Sequence, residues 1–181
     1  MIATERFILR PPGYGDVEDI NSYAGDPAID MMIYLPHETM EDTRKFVEYA
    51  VSEWEKEEPE DREYVILYQG KIIGGVNLEY CGEKTYEIGW IVHRDCRDMG
   101  AAAEAAEALM DYAFSVLGAA AVRAHCDCRN AAFEKVMKKL GMTLKDDRGT
   151  RFYEKTGVTA GEYLYMITEP EFREKSRQKV L

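Results

Sequence analysis

Several features are missing from this chain. Its 181 residues contain no run of about 18 apolar residues, so no membrane-spanning helix is expected. The opening Met1-Ile2-Ala3-Thr4-Glu5-Arg6 has neither the basic start nor the apolar middle of a signal peptide, so a cytoplasmic protein is expected. A basic excess is missing too: 23 Lys and Arg stand against 34 Asp and Glu, a net charge of −11. A general nucleic-acid binder needs a cationic face, and that class is disfavoured. A cationic substrate would be attracted, although most acidic surfaces serve only solubility. Cysteine is sparse. Cys81, Cys96, Cys126 and Cys128 in a cytosolic chain are expected to be free thiols. Cys126-x-Cys128 beside His125 lacks the two-residue spacer usual in zinc pairs, so ordinary strand residues are the better account and no metal is expected. There is no internal repeat and no low-complexity segment.

What is present suits one ordinary domain with a substantial core, at 46% apolar and 11% aromatic residues. The most informative stretch spans residues 90–105. It reads as an apolar strand, Trp90-Ile91-Val92, then a short loop, then an alanine-rich helix. The loop carries Arg97-x-x-Gly100-x-Ala102. Small residues at a helix entrance leave backbone N–H groups uncovered, and the helix dipole makes that end positive, so the turn can hold a pyrophosphate. Without further support, a Gly at a strand–helix join is more often structural.

The surrounding elements follow from periodicity and punctuation. Residues 7–10 read as a strand stopped by Pro11-Pro12. Asp16 can cap a first helix with Val17, Ile20, Tyr23 and Ala24 at helical spacing and Gly25 at its end, and Asp26-Pro27 starts a turn. Thr39-x-x-Asp42 resembles a capping box for a second helix, whose stripe is Met40, Phe46, Val47, Ala50, Val51 and Trp54. The acidic run 55–61 is a solvated connection. Residues 64–68 and 72–78 form a hairpin around Gln69-Gly70, and residues 86–92 form the strand entering the loop. The main helix then shows Ala101, Ala105, Ala108, Leu109, Tyr112 and Val116 on one face, closed by Gly118. Residues 122–128 form a strand. Asn130 can cap a late helix with Phe133, Val136, Met137 and Leu140 as its stripe and Gly141 at its end. Residues 152–153 and 163–167 are late strands, and 169–181 form a polar, helical tail. The result is a mixed α/β domain over residues 1–168 with a tail at 169–181. The strand–helix–strand unit at 86–128 implies one parallel pair in a mostly antiparallel sheet.

In order along the chain, several segments resemble the GNAT superfamily of acyl-CoA-dependent N-acetyltransferases, in its RimJ/RimL-like branch. They are Thr4-Glu5-Arg6-Phe7-Ile8-Leu9-Arg10-Pro11, Tyr34-Leu35-Pro36 with Thr39-Met40-Glu41-Asp42-Thr43-Arg44, Lys71-Ile72-Ile73-Gly74-Gly75, Glu87-Ile88-Gly89-Trp90, Arg97-Asp98-Met99-Gly100-Ala101-Ala102, and Asn130-Ala131-Ala132 with Lys139-Leu140-Gly141-Met142. Each piece is common; six in order are specific. The resemblance implies a twisted, mostly antiparallel sheet with one splayed parallel strand pair and about four flanking helices. It implies acetyl-CoA as cofactor. The strands ending near Val92 and Asp127 would splay, backbone groups at Ile91 and Val92 would bond the pantetheine arm, and N–H groups of Arg97, Asp98, Met99, Gly100, Ala101, Ala102 and Ala103 would hold the pyrophosphate. Asn130 would meet the pantetheine or the thiol end.

The implied chemistry is direct acyl transfer to a small-molecule or peptide amine, and dimerisation is common in the family. An ammonium has no lone pair, so a base must take its proton, and Glu87, before the loop on the cofactor strand, is the carboxylate best placed by sequence. The alternative for Glu87 is an ordinary strand carboxylate, and for Asn130 an N-cap alone. The backbone near Val92 is the natural oxyanion donor. Asp98 and Met99 depart from the family loop, and a carboxylate at 98 must point to solvent. Phe133 stands where the branch often has Ser, and Met137 where many members have an acid Tyr. Neither can protonate a thiolate; Tyr153, Tyr163 and Tyr165 are unranked substitutes. Two rival readings follow: a catalytically weak acyl-CoA-binding or regulatory protein, and an interaction domain that has lost the cofactor.

Overall fold

The computed structural model describes residues 1–26, 37–154 and 156–178. Eight strands form a single sheet: β1 (Ile2–Ala3), β2 (Ile8–Arg10), β3 (Asp61–Tyr68), β4 (Lys71–Tyr80), β5 (Thr85–Val92), β6 (Ala121–Asp127), β7 (Thr143–Tyr153) and β8 (Val158–Thr168). The described helices are α1 (Val17–Ala24), α2 (Met40–Trp54), α3 (Ala101–Ser115), α4 (Ala131–Lys139) and α5 (Glu169–Gln178), with 3-10 turns at Tyr14–Asp16 and Arg94–Met99. The sheet order is β1-β2-β3-β4-β5-β6-β8-β7, antiparallel throughout except for β5 beside β6.

Alternation along the strands sorts side chains onto two faces. Tyr64, Ile66, Val76, Leu78, Ile88, Trp90, Val122, Ala124 and Cys126 face α3 and α4 in the larger core, which Phe172 of α5 also joins. Val65, Leu67 and Ile91 face α1 and α2 in a smaller core with Ile20, Tyr23 and Val47. Helices thus cover both faces, and the sheet's centre is buried on each side.

Local chemistry sets the element ends. Thr39 accepts from the Asp42 N–H at 3.1 Å while the Asp42 carboxylate accepts from the Thr39 N–H at 2.9 Å, completing the expected capping box of α2. The β3–β4 hairpin turns on Gln69 (φ 49°) and Gly70 (φ 79°), the left-handed pair that a two-residue turn between twisted strands requires. Gly74 is fixed by crowding: a Cβ there would lie 2.3 Å from the carbonyl oxygen of Ile91. A side chain at 74 would therefore push β4 away from the end of β5.

Several expectations change. Asp16 stands at the start of α1 but does not cap it; its carboxylate accepts from Arg10 at 2.6 and 2.8 Å and from the Gly13 N–H at 2.7 Å. The buried face of α3 is Ala101, Ala103, Ala105, Ala106, Leu109, Met110, Ala113 and Phe114, whereas Val116 is exposed at the C-cap. So many alanines leave little contrast between faces. Strands β7 and β8 run 11 residues each, far longer than the two short strands expected. β7 lies at the sheet edge, is mostly exposed and breaks register twice against β8, so its sequence Thr143–Tyr153 carries no clean alternation. The expected turn at Asp26-Pro27 and the segment Tyr34-Leu35-Pro36 fall on or beside positions outside the described residues.

Candidate active site

Strands β5 and β6 pair over only three positions: Thr85 with Ala121, Tyr86 with Val122 and Glu87 with Arg123. Beyond them β5 continues through residues 88–92 and β6 through 124–127 with no ladder between them. On their outer sides both arms stay paired, β5 to β4 and β6 to β8. The parallel pair therefore opens as a splay held rigidly from both sides. The arms carry Ile91 and Val92 on one side and Asp127 on the other. Each arm then leads into a helix N-terminus, α3 after β5 and α4 after β6. The carboxyl ends of parallel strands, flanked by helix N-termini, are where open α/β sheets take ligands.

The α3 entrance has the form of an anion cradle. Gly100 is left-handed (φ 76°), serves as N-cap and brings no side-chain hydrogen bond to the first turn. Ala101 and Ala103 are buried and Ala102 is half-buried, so these three residues bring only methyl groups to that turn. Arg97 and Asp98 are exposed, which puts the Asp98 carboxylate in solvent. Met99 is half-buried, and its carbonyl accepts from Arg6 Nη1 at 2.9 Å. Arg6 also pairs with Glu104 at 2.7 Å, so a guanidinium from the chain's start is pinned beside the cradle. Arg94 is bound to buried Asp26 through Nε at 2.8 Å and through a second, shorter contact, which ties the 3-10 turn to the end of α1. Uncovered N–H groups, a 15-residue helix dipole and nearby Arg side chains fit a pyrophosphate, and hence a coenzyme A.

The α4 entrance is built around Asp127. Its buried carboxylate accepts from Arg129 Nε at 2.8 Å, Arg129 Nη2 at 2.6 Å and the Arg129 N–H at 2.8 Å. These bonds, with the Arg129 guanidinium foremost, pull the Asp127 carboxyl down to about 2 against the opposing effect of burial. The Asp127 carbonyl accepts from the Asn130 N–H at 2.9 Å, and the Asn130 side chain then caps α4 by accepting from the Phe133 N–H at 3.0 Å. Across the gap, Trp90 of β5 stacks face to face on Phe133 of α4, with centroids 4.0 Å apart and planes 8° from parallel. Phe133 thus joins the two arms on the α3/α4 side, and Met137 is buried behind it in the core.

At the closed end of the splay, on the opposite face, Glu87 is half-buried between two β6 side chains. Arg123 Nε donates to Oε2 at 3.0 Å and His125 Nδ1 contacts Oε1 at 2.8 Å. Burial alone would raise the Glu87 carboxyl, but the His125 hydrogen bond and charge, together with Arg123, hold it below the usual range. The same face carries Asp61, which burial and its carboxylate neighbours push up to about 6, and Glu63, raised well above its ordinary value by burial. Among the three tyrosines, Tyr165 is buried with its hydroxyl donating to Glu134 at 2.6 Å, Tyr163 packs partly against the larger core, and Tyr153 has a buried hydroxyl near Asp127 and Arg129. The four cysteines are unpaired; Cys126 is a buried core residue whose thiol burial pushes up to about 12. No helix among the described residues is long and apolar enough to cross a membrane.

A family model described as Acetyltransferase (GNAT) domain matches residues 6–143, most of the chain. The chain belongs to the GNAT acetyltransferases. It is 32% identical over 180 residues to a Bacillus subtilis (strain 168) protein named uncharacterized N-acetyltransferase YnaD, covering 94% of this chain and 98% of that one. Among solved structures it is similar to an acetyltransferase (GNAT family) from Bacillus anthracis at 29% identity and a TM-score of 0.79, covering 93% and 98% of the two chains. It shares its fold with RimL, the ribosomal L7/L12 alpha-N-protein acetyltransferase, solved with coenzyme A, at 17% identity and a TM-score of 0.80 over 91% and 95%. The GNAT fold, its splayed parallel pair and the N-acetyltransferase class are thereby those read from the sequence.

Sequence reasoning missed Arg6, Asp127, Arg123 and His125. Residues 122–126 alternate apolar and polar, which puts Arg123 and His125 on one face. Their meeting with Glu87 depends on the parallel register of β5 and β6, which no local pattern encodes. Asp127 was read only as a strand end, and Arg6 reaches the cradle from nearly a hundred residues away in sequence.

Proposed function

We propose that this GNAT protein is an acetyl-CoA-dependent N-acetyltransferase acting on the amine of a protein N-terminus or a small molecule. The observation that carries it is the splay itself: two rigid arms, an uncapped α3 entrance with Gly100 in the left-handed region, and a polar cluster at the base. RimL, a fold relative, was solved with coenzyme A.

When bound, acetyl-CoA supplies an acetyl group already activated as a thioester. The chain's residues do the rest. N–H groups from Arg97 to Ala103, Gly100 foremost, hold the pyrophosphate. Backbone groups at Ile91 and Val92 line the pantetheine arm, and Val92 supplies the oxyanion donor. Asn130 caps α4 at the mouth of the splay with its amide beside the same path. The acceptor enters from the face that carries Glu87, where each nearby Arg is already paired with a carboxylate, and Glu87 takes part in removing its proton. Residues 1–168 form the catalytic domain, and the tail that follows docks on it through Phe172 of α5. Four free thiols suit a cytoplasmic site of action.

The test is mass spectrometry of a panel of amines and N-terminal peptides incubated with the protein and acetyl-CoA. Acetylated product on at least one amine is expected. Tight CoA binding with no product on any amine would favour a binding or regulatory protein instead.

A further inference from the structure

Glu87 does not face the splay as a free carboxylate. Arg123 holds one oxygen and His125 the other. A carboxylate so engaged is a poor proton acceptor, and it dictates the form of its neighbour. An ionised carboxylate only accepts hydrogen bonds, so the Nδ1 of His125 must be the protonated nitrogen. In the neutral ring the lone pair then sits on Nε2. Among the described residues that Nε2 has no hydrogen-bond partner, while the ring is only 19% exposed. His125 lies on β6 two positions beyond the end of the β5 ladder, so its ring stands at the edge of the splay. The other cations on that face are already paired, Arg151 on β7 with Glu162 on β8 and Arg123 with Glu87, while the carboxylates of Asp61 and Glu63 stand on β3, across β4 from Glu87. From β8 the partner opposite His125 is apolar Leu164, and Cys81 approaches Glu87 and Arg123 from the turn before β5.

We propose that His125 is the general base of the transfer and that Glu87 is the positioning residue behind it. The proposal rests on the reading that an amine is acetylated from this face. The acceptor ammonium's N–H bond breaks as an Nε2–H bond forms. The freed lone pair makes the new amide C–N bond, and the amine's second proton goes with the sulfur that leaves as a thiol. The imidazolium, stabilised by the Glu87 carboxylate, returns its proton to water. Glu87 thus acts through His125, and the arrangement is a carboxylate–imidazole dyad spanning two parallel strands.

The test combines kinetics with nitrogen-15 NMR of the histidine rings in the unliganded protein. In wild type, the His125 ring at high pH should show a protonated Nδ1 and a bare Nε2. His125→Gln should lower kcat by roughly 10²–10⁴-fold, leave KM for the amine and CoA affinity by calorimetry within about twofold, and flatten the acid limb of the kcat profile. Glu87→Gln should cost less in kcat and should loosen the preference for the proton on His125 Nδ1. A proton found on Nε2 in wild type overturns the proposal even if every variant misfolds, and so does a His125→Gln enzyme with wild-type kcat. If wild type itself acetylates no amine, the proposed function has failed; if only the variant behaves like wild type, the function stands and His125 is not its base.

Discussion

At the scale of single residues, Asp127 does the most with the least surface. Its buried carboxylate gathers three bonds from Arg129 and so fixes the turn that delivers Asn130 to the head of α4. Its folded-state value, about 2, lies below that of an unfolded Asp. Its contribution to stability is therefore fully present above about pH 4 and fades as the pH falls through 2. Asp127→Asn should cost about 2 kcal/mol at pH 7, the scale of hydrogen bonds to a buried charge. Urea unfolding should show that gap to wild type closing between pH 4 and pH 2. A gap that stays constant with pH would mean that the carboxylate's charge is not what holds the turn. Residues like this were only partly legible. Glu87 could be singled out because it lies on a strand that ends in a recognisable loop. His125 could not, because its role comes from a register between strands whose sequences are separated by a whole helix. Asn130 was legible as a cap because capping is a local event, complete within four residues.

At the scale of elements, one aromatic stack bridges β5 and α4. Phe133 of α4 lies flat on Trp90 of β5, across the gap between the two arms. Phe133→Ala should lower stability by about 2 kcal/mol, less than for a fully buried Phe because the ring is half-buried. For a chain of this size that is a fall in Tm of about 4–8 °C, readable by circular dichroism. An unchanged Tm would mean that the stack adds nothing to the join. Helices α2 and α4 were legible because a capping box and a cap residue mark where they start, and the β3–β4 hairpin because two adjacent residues take up the turn. The expected face of α3 lies on the core except at Val116, which stands exposed beyond the end of the helix; the alanine-rich sequence hid the further core positions at Ala103, Ala106, Met110, Ala113 and Phe114. Edge strand β7 escaped almost entirely: an exposed, bulged strand rich in Lys, Asp and Arg has no period to find.

At the scale of the whole molecule, two cores on opposite faces clamp one sheet, and the place where that sheet comes apart is where two helices begin. Most of this plan could be read from the sequence, because order, punctuation and the small-residue loop act locally and agree with one another. The lengths of the last strands and the docking of α5 through Phe172 against Phe114 depend on contacts between distant segments. What unites the scales is a claim about binding: the α3 entrance at Gly100 holds the pyrophosphate of coenzyme A. The direct measurement is thermal unfolding with and without CoA, for wild type and Gly100→Glu. A Cβ at 100 meets only the Arg6 guanidinium, at 3.4 Å, so the variant keeps its fold at the cost of about 1–2 kcal/mol for a left-handed non-glycine residue. CoA at a hundredfold excess over its dissociation constant adds about 2.7 kcal/mol to a fold that alone binds it. Wild type should then gain about 5–10 °C in Tm, and Gly100→Glu, which lays a carboxylate over the cradle, should gain nothing. A wild-type Tm unmoved by millimolar CoA, or a variant that gains as much as wild type, would contradict the placement of the cofactor at this helix.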